Sequence, residues 1–209
     1  YTKKKPMFRF VFKYELGYLF RNPAVYIYGS VSFLFGLITM AGNAGAFNDT
    51  GVLIHKTANS PYALFSLMSM FSKLILFMIP AITGNSVFRD FKTNSYSILF
   101  SYPVEKIKYL SGKFFSSFTC LILISLLFFI GCYFGTQLPG TDKMLITTFQ
   151  LSVYLQMYMF YLIPDLLFTG ILVFSITVLT RRSEAGFMII VVLLILRELL
   201  HRFTAGTYI

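Results

Sequence analysis

Two side chains stand out because a helix facing lipid has no use for them. Lys73 interrupts an otherwise apolar run that begins at Pro61, and Asp165 is the only acidic residue bounded by apolar runs on both sides. An ammonium near the centre of a span costs roughly 3 kcal/mol on insertion scales, so it must meet a partner or water. A Lys73–Asp165 pair would neutralise both charges. If Asp165 starts its own span near the outer surface, however, Lys73 lies about 18 Å further along its helix. Snorkelling, or a wet cavity between helices, is therefore the expectation for Lys73. Other chemistry is poorly supplied. His55 and His201 are too few and too isolated for a His-based zinc site or a bis-His haem. Cys120 and Cys132 fall inside one apolar run, away from any Cys-x-x-Cys pattern. Gly112-Lys113 lacks the upstream glycine and the hydroxyl residue of a phosphate-cradling loop, so no cofactor is expected on this chain and it is not read as an enzyme.

The elements that carry these residues follow from composition. The 209 residues are 56% hydrophobic, 19% aromatic and only 12% charged, with a mean hydropathy of +0.72. A soluble core cannot hide that much apolar surface, which excludes water-soluble enzyme folds and makes lipid the solvent. A net charge of +10 would suggest nucleic acid in a soluble protein, but the bases sit in short clusters between long apolar runs. That is membrane topology, not nucleic-acid binding. The fold class is all-α and polytopic, with spans over about 24–43, 61–84, 114–138, 162–180 and 185–203. The run from Met144 to Thr180 is too long for one simple span, and its stretch around Tyr154, Tyr158 and Tyr161 is expected to lie at the outer interface. Gly29 and Gly36 could permit close helix approach and Pro80 and Pro164 could kink their spans, although ordinary membrane-helix composition explains all four.

Lys and Arg crowd one set of loops: Lys3 to Lys5, Arg9, Lys13 and Arg21 at the N-terminus, then Arg89, Lys92, Lys106, Lys108 and Lys113, then Arg181 and Arg182. The other side has Lys56, Lys143, Arg197 and Arg202. By the bias of bases toward the cytoplasm, the N-terminus is cytoplasmic. Residues 6–21 place Lys5, Arg9, Lys13 and Arg21 on one helical stripe among Phe8, Val11, Phe12, Leu16, Leu19 and Phe20, the profile of a helix lying in the interface. Asn22-Pro23 predicts a bend before the first span. Between Arg89 and Lys113, Tyr96, Ile98, Leu99, Phe100 and Tyr102 form an apolar patch framed by charges. Such a patch suits either a docking surface or the lipid surface.

Four pieces in order, Phe8-x-x-x-Phe12-x-x-Glu15 with Arg21-Asn22-Pro23, Arg89-Asp90-Phe91, Tyr102-Pro103-Val104 and Tyr109-Leu110-x-Gly112-Lys113, resemble the membrane permease subunits of type-2 ABC exporters. The resemblance spans roughly residues 8–182. Gly45-Ala46-Phe47 and Asn59-Ser60-Pro61-Tyr62 are similar to a bacterial subgroup in which the spans are fused to a zinc aminopeptidase. The resemblance implies an interfacial elbow helix over 6–21 and six spans per half. It also implies a coupling helix over about 90–102, contacting a cytoplasmic ATPase through Asp90, Tyr96, Leu99, Phe100 and Tyr102. A second contact falls at Arg181, Arg182 and Glu184. ATP and magnesium would be bound by that partner, and a second half or a second copy would complete the pathway in a bacterial cytoplasmic membrane. Five spans instead of six, a start at Tyr and a stop soon after the fifth span are what a fragment of a longer chain would show. A membrane anchor for a peptidase or other enzyme is the competing expectation, and a secondary transporter the third.

Overall fold

Asn22-Pro23 does break the chain. Helix α1 (Met7–Arg21) stops at Asn22, whose backbone is extended (φ −82°, ψ 121°) and whose Oδ1 accepts from the Ala24 amide to cap α2 (Pro23–Asn43). Proline at the first helical position costs α2 nothing, because that amide would have no partner anyway. The computed structural model describes residues 7–47, 58–92, 105–146 and 149–206, the side chains of 91, 92, 201 and 204–206 excepted. After α2 come α3 (Pro61–Ile79), a π turn (Pro80–Gly84) that runs directly into α4 (Asn85–Lys92), and α5 (Lys106–Gly135). A 3-10 turn (Lys143–Leu145) precedes α6 (Leu151–Met157), which passes through a second π turn (Tyr158–Leu162) into α7 (Ile163–Thr180); α8 (Ser183–Gly206) follows. Among the described residues, four helices are long and apolar enough to cross a membrane: Pro23–Asn43, Pro61–Asp90, Lys106–Gly135 and Leu151–Thr180. The chain is thus helical among its described residues and has the make-up of a multi-pass membrane protein. The 24-residue α8 is also largely apolar but carries Glu184, Arg197 and Glu198.

Several boundaries differ from the sequence expectation. The second span does not end at Gly84, because the π turn bridges it to α4. Span three begins at Lys106, eight residues before the charge-free run. The stretch around Tyr154 and Tyr158 is continuous with the span that follows, in one 30-residue helix, Leu151–Thr180. Both tyrosines are buried, Tyr158 bonding Ser125 and the Ile122 carbonyl and Tyr154 bonding Asn59. The two π turns adjoin the prolines. Pro164 lacks an amide and its ring crowds the carbonyl four residues back, which is Phe160 inside the turn, so the wider turn relieves the clash without ending the helix.

The tightest packing is between α2 and α5. A Cβ on Gly36 would stand 2.2 Å from the Phe128 carbonyl oxygen, and one on Gly131 would stand 2.2 Å from that of Phe33. Gly135 is nearly as close to Leu37. These glycines let the two backbones touch, the arrangement small residues provide between membrane helices, where there is no water to drive association. Phe71 of α3 stacks on Phe128 with ring centroids 4.1 Å apart, and Phe35 packs against both. The bundle has two distinct ends. At one, the Asp142 amide bonds the Ala44 carbonyl and the Ala58 amide bonds that of Leu145. At the other, α1, α4, the start of α5 and the α7–α8 turn come together.

Candidate functional site

At that second end, four charged side chains converge in a nearly dry pocket. Glu15 sits on α1 in the same helical row as Val11 and Leu19, and all three are buried against the bundle. Gly112 of α5 permits this approach, since a Cβ there would lie 3.0 Å from Val11 and 3.3 Å from the Phe8 carbonyl. Phe8 and Phe115 close the contact edge to face, at 6.0 Å between centroids. The outward arc of α1 presents Arg9, Lys13 and Arg21 together with Phe10, Tyr14 and Tyr18. The basic stripe therefore points away from the bundle at Arg9, Lys13 and Arg21, Lys5 lying outside the described residues.

Arg89, on α4, donates through Nη2 to both oxygens of Glu15, at 2.7 and 2.8 Å, and its guanidinium lies 3.7 Å over the Tyr18 ring. Lys113, on α5, is wholly buried. Its Nζ reaches Glu15 Oε1 at 3.0 Å, Asp90 Oδ2 at 2.6 Å and the Ser86 carbonyl at 2.8 Å, so each of its three protons has an acceptor. The Tyr109 hydroxyl donates to the same Asp90 oxygen at 2.8 Å. Two acids face two bases, so the site is neutral as a whole, which is the condition for keeping charges this deep. The cluster ties α1 to both the helix that enters residues 93–104 and the helix that leaves them. Charge-assisted bonds thereby link α4 to both α1 and α5.

Of the residues expected to meet an ATPase, Tyr96, Leu99, Phe100 and Tyr102 lie outside the described residues. Asp90 directs its carboxylate inward, to Lys113 and Tyr109. Arg181 adopts a left-handed backbone (φ 56°) and its amide bonds the Thr177 carbonyl, making it the sharp corner between α7 and α8. Arg182 and Glu184 flank that corner, Glu184 in the first turn of α8.

The intramembrane charges are not paired with each other. Asp165, near the middle of the Leu151–Thr180 helix, bonds Arg197 of α8 and accepts from Ser72 of α3. Lys73 faces Glu198 of α8 at 3.8 Å. Asp165 is level with Lys73 after all, because the helix carrying it begins at Leu151, which leaves Asp165 near the helix middle and beside Ser72. Arg197, which the sequence counted among the bases of the outer side, turns to Asp165.

Sequence reasoning passed over Glu15, Lys113, Ser72 and Arg197 as site residues. Glu15 did carry a signal: it is the one acid of α1, set on the apolar row four residues from Val11 and Leu19. Among the described residues, no three His, Cys, Asp or Glu side chains converge as metal ligands. The chain matches no family model, no curated protein and no solved structure.

Proposed function

We propose that this chain is the transmembrane half of a type-2 ABC exporter, in which ATP hydrolysis by a cytoplasmic partner drives export across a bacterial cytoplasmic membrane. Five spans cross the bilayer with the N-terminus inside, α8 being the fifth, α1 is the elbow helix, and residues 90–102 are the segment that meets the ATPase. The carrying observation is that three of the four separate pieces behind the resemblance meet in space. Glu15, Arg89-Asp90 and Tyr109 with Gly112-Lys113 are far apart in sequence, yet together they build one neutral buried cluster. A segment whose two flanks are cross-braced in this way is suited to receive force from a docked ATPase and to pass it to the spans. A peptidase anchor has no need of such bracing.

The test is affinity purification of the full chain from its native membrane, followed by assay of ATP hydrolysis. An ABC-type ATPase should co-purify in stoichiometric amount, and Leu99→Ala or Phe100→Ala should release it while Lys92→Ala retains it. An anchor role would instead bring down a peptidase activity with no ATPase, and the proposal would fall.

A further inference from the structure

The end of the bundle that holds the buried charge cluster also holds a cavity of about 240 Å³, bounded by the α1–α2 bend, the first π turn, α4 and the start of α8. Its walls are rich in hydrogen-bonding groups. Arg89 and Asn85 line it from α4, Tyr18 and Tyr28 from the two sides of the bend, and Ser183 from the first position of α8. Among the described residues, no carboxylate lines it. Glu15 holds Arg89 through Nη2 and the guanidinium rests on the Tyr18 ring, so this cation is fixed at the wall. Ser86 lines the cavity too. It is 3% exposed, and its hydroxyl has no hydrogen-bond partner among the described residues, an exception for a buried polar group. The 24-residue α8 starts at the same wall, which brings the positive end of its dipole and its first-turn amides there.

We infer that this cavity binds the head of an anionic phospholipid, its phosphate held between Arg89, Asn85 and the start of α8. The sign follows from the surroundings. The buried cluster is neutral as a whole, but Arg21 adjoins the lining residue Asn22, and Arg181 and Arg182 precede Ser183, all three exposed, against the one exposed acid Glu184. The mouth therefore carries an excess of positive charge, which favours a head of net negative charge. The source follows from position. Ala24, Val25 and Tyr28 place the cavity at the first turns of α2, a helix long and apolar enough to cross a membrane, and the end of such a helix is the level of head groups. The volume is small against the roughly 300–1,000 Å³ of a site that encloses a whole small molecule, so it takes a head and leaves the chains outside. The chains have a path, because Val31 and Val191, about one turn beyond the lining residues Tyr28 and Phe187, are exposed. The inference stands apart from the export reading, since it requires only that α2 crosses a bilayer.

The experiment uses the full chain in bilayers of phosphatidylcholine brominated along its chains. The protein has no tryptophan, so Val191→Trp, on the chain path and outside the cavity, gives a single reporter that those bromines quench. Unbrominated phosphatidylglycerol should restore the emission at about one tenth of the mole fraction that unbrominated phosphatidylcholine needs, as expected for a net negative head at a basic mouth. Asn85→Leu, which fills the cavity without changing charge, and Asn85→Asp, which sets a carboxylate at its wall, should each abolish that difference. Lys13→Gln, on the outward stripe of α1, should leave it intact. Helix content and quenching by the brominated lipid alone report that each variant is folded in the bilayer. Equal behaviour of the two lipids overturns the inference. So does a preference that survives both Asn85 variants or is lost in Lys13→Gln, which would assign it to the basic surface at large. Excess inorganic phosphate separates lipid from free anion: a preference that it leaves in place supports the lipid, and one that it removes assigns the site to soluble phosphate and overturns the inference.

Discussion

Removing Glu15 tests whether the buried cluster holds α1 in place. Its side chain is 3% exposed, so water screens it little, and it meets Arg89 Nη2 at 2.7 and 2.8 Å and Lys113 at 3.0 Å. At an effective dielectric of about 20, opposite unit charges 3 Å apart attract by roughly 5 kcal/mol. Much of that is offset by desolvation, and deleting one partner of a buried pair costs about 3–5 kcal/mol because the other charge is stranded. Glu15→Ala leaves Lys113 its bond to Asp90 and leaves Arg89 partly open to water, which puts the expected loss near the lower figure, about 3 kcal/mol. Arg89→Ala should cost a similar amount by leaving two acids to one base. The double variant keeps Asp90 and Lys113 as a balanced pair, so its loss should fall short of the sum of the singles by about 2 kcal/mol. Unfolding of the purified protein in mixed maltoside and dodecyl sulfate micelles, followed by helix content, yields all three values. Losses that add within about 0.5 kcal/mol would mean the charges act independently and the cluster does not brace the helices.

Gly36→Ala should destabilise the same bundle by about 1–3 kcal/mol, because its Cβ would stand 2.2 Å from the Phe128 carbonyl oxygen and the α2–α5 backbones must separate. Gly17→Ala, at a helical position with nothing within 4 Å, should instead stabilise by about 0.5–1 kcal/mol, and the same unfolding assay compares the two. Arg181→Gly relieves a left-handed backbone and should raise stability by about 1 kcal/mol, whereas a β-branched Arg181→Val should lower it, read as opposite shifts in the unfolding midpoint. For orientation, single cysteines at Asp142 and Lys106 in the Cys120- and Cys132-free background lie at opposite ends of the bundle. An impermeant thiol reagent on intact cells should label Asp142→Cys only, and labelling of Lys106→Cys alone would reverse the topology.

The amino-acid sequence by itself determined that the protein is helical and of multi-pass membrane make-up, since its apolar runs of about 20 residues are continuous, as a spanning helix requires, and not alternating as in a barrel strand. It determined the bend at Asn22-Pro23 through two residues that cap and start a helix. It also determined the outward basic stripe of α1 through spacing by four. Those features depend on neighbours along the chain. Helix length was less legible, because π turns let Pro80 and Pro164 sit inside continuous helices where local rules expect an end. Partnership was decided only by tertiary structure. Nothing local says that Glu15 meets Arg89 and Lys113, that Asp165 chooses Arg197 over Lys73, or that Gly36 faces the Phe128 carbonyl. A buried charge must find its complement across the bundle, and which complement is within reach depends on where each helix begins, how closely its glycines let it approach, and how far its neighbour has been carried past it.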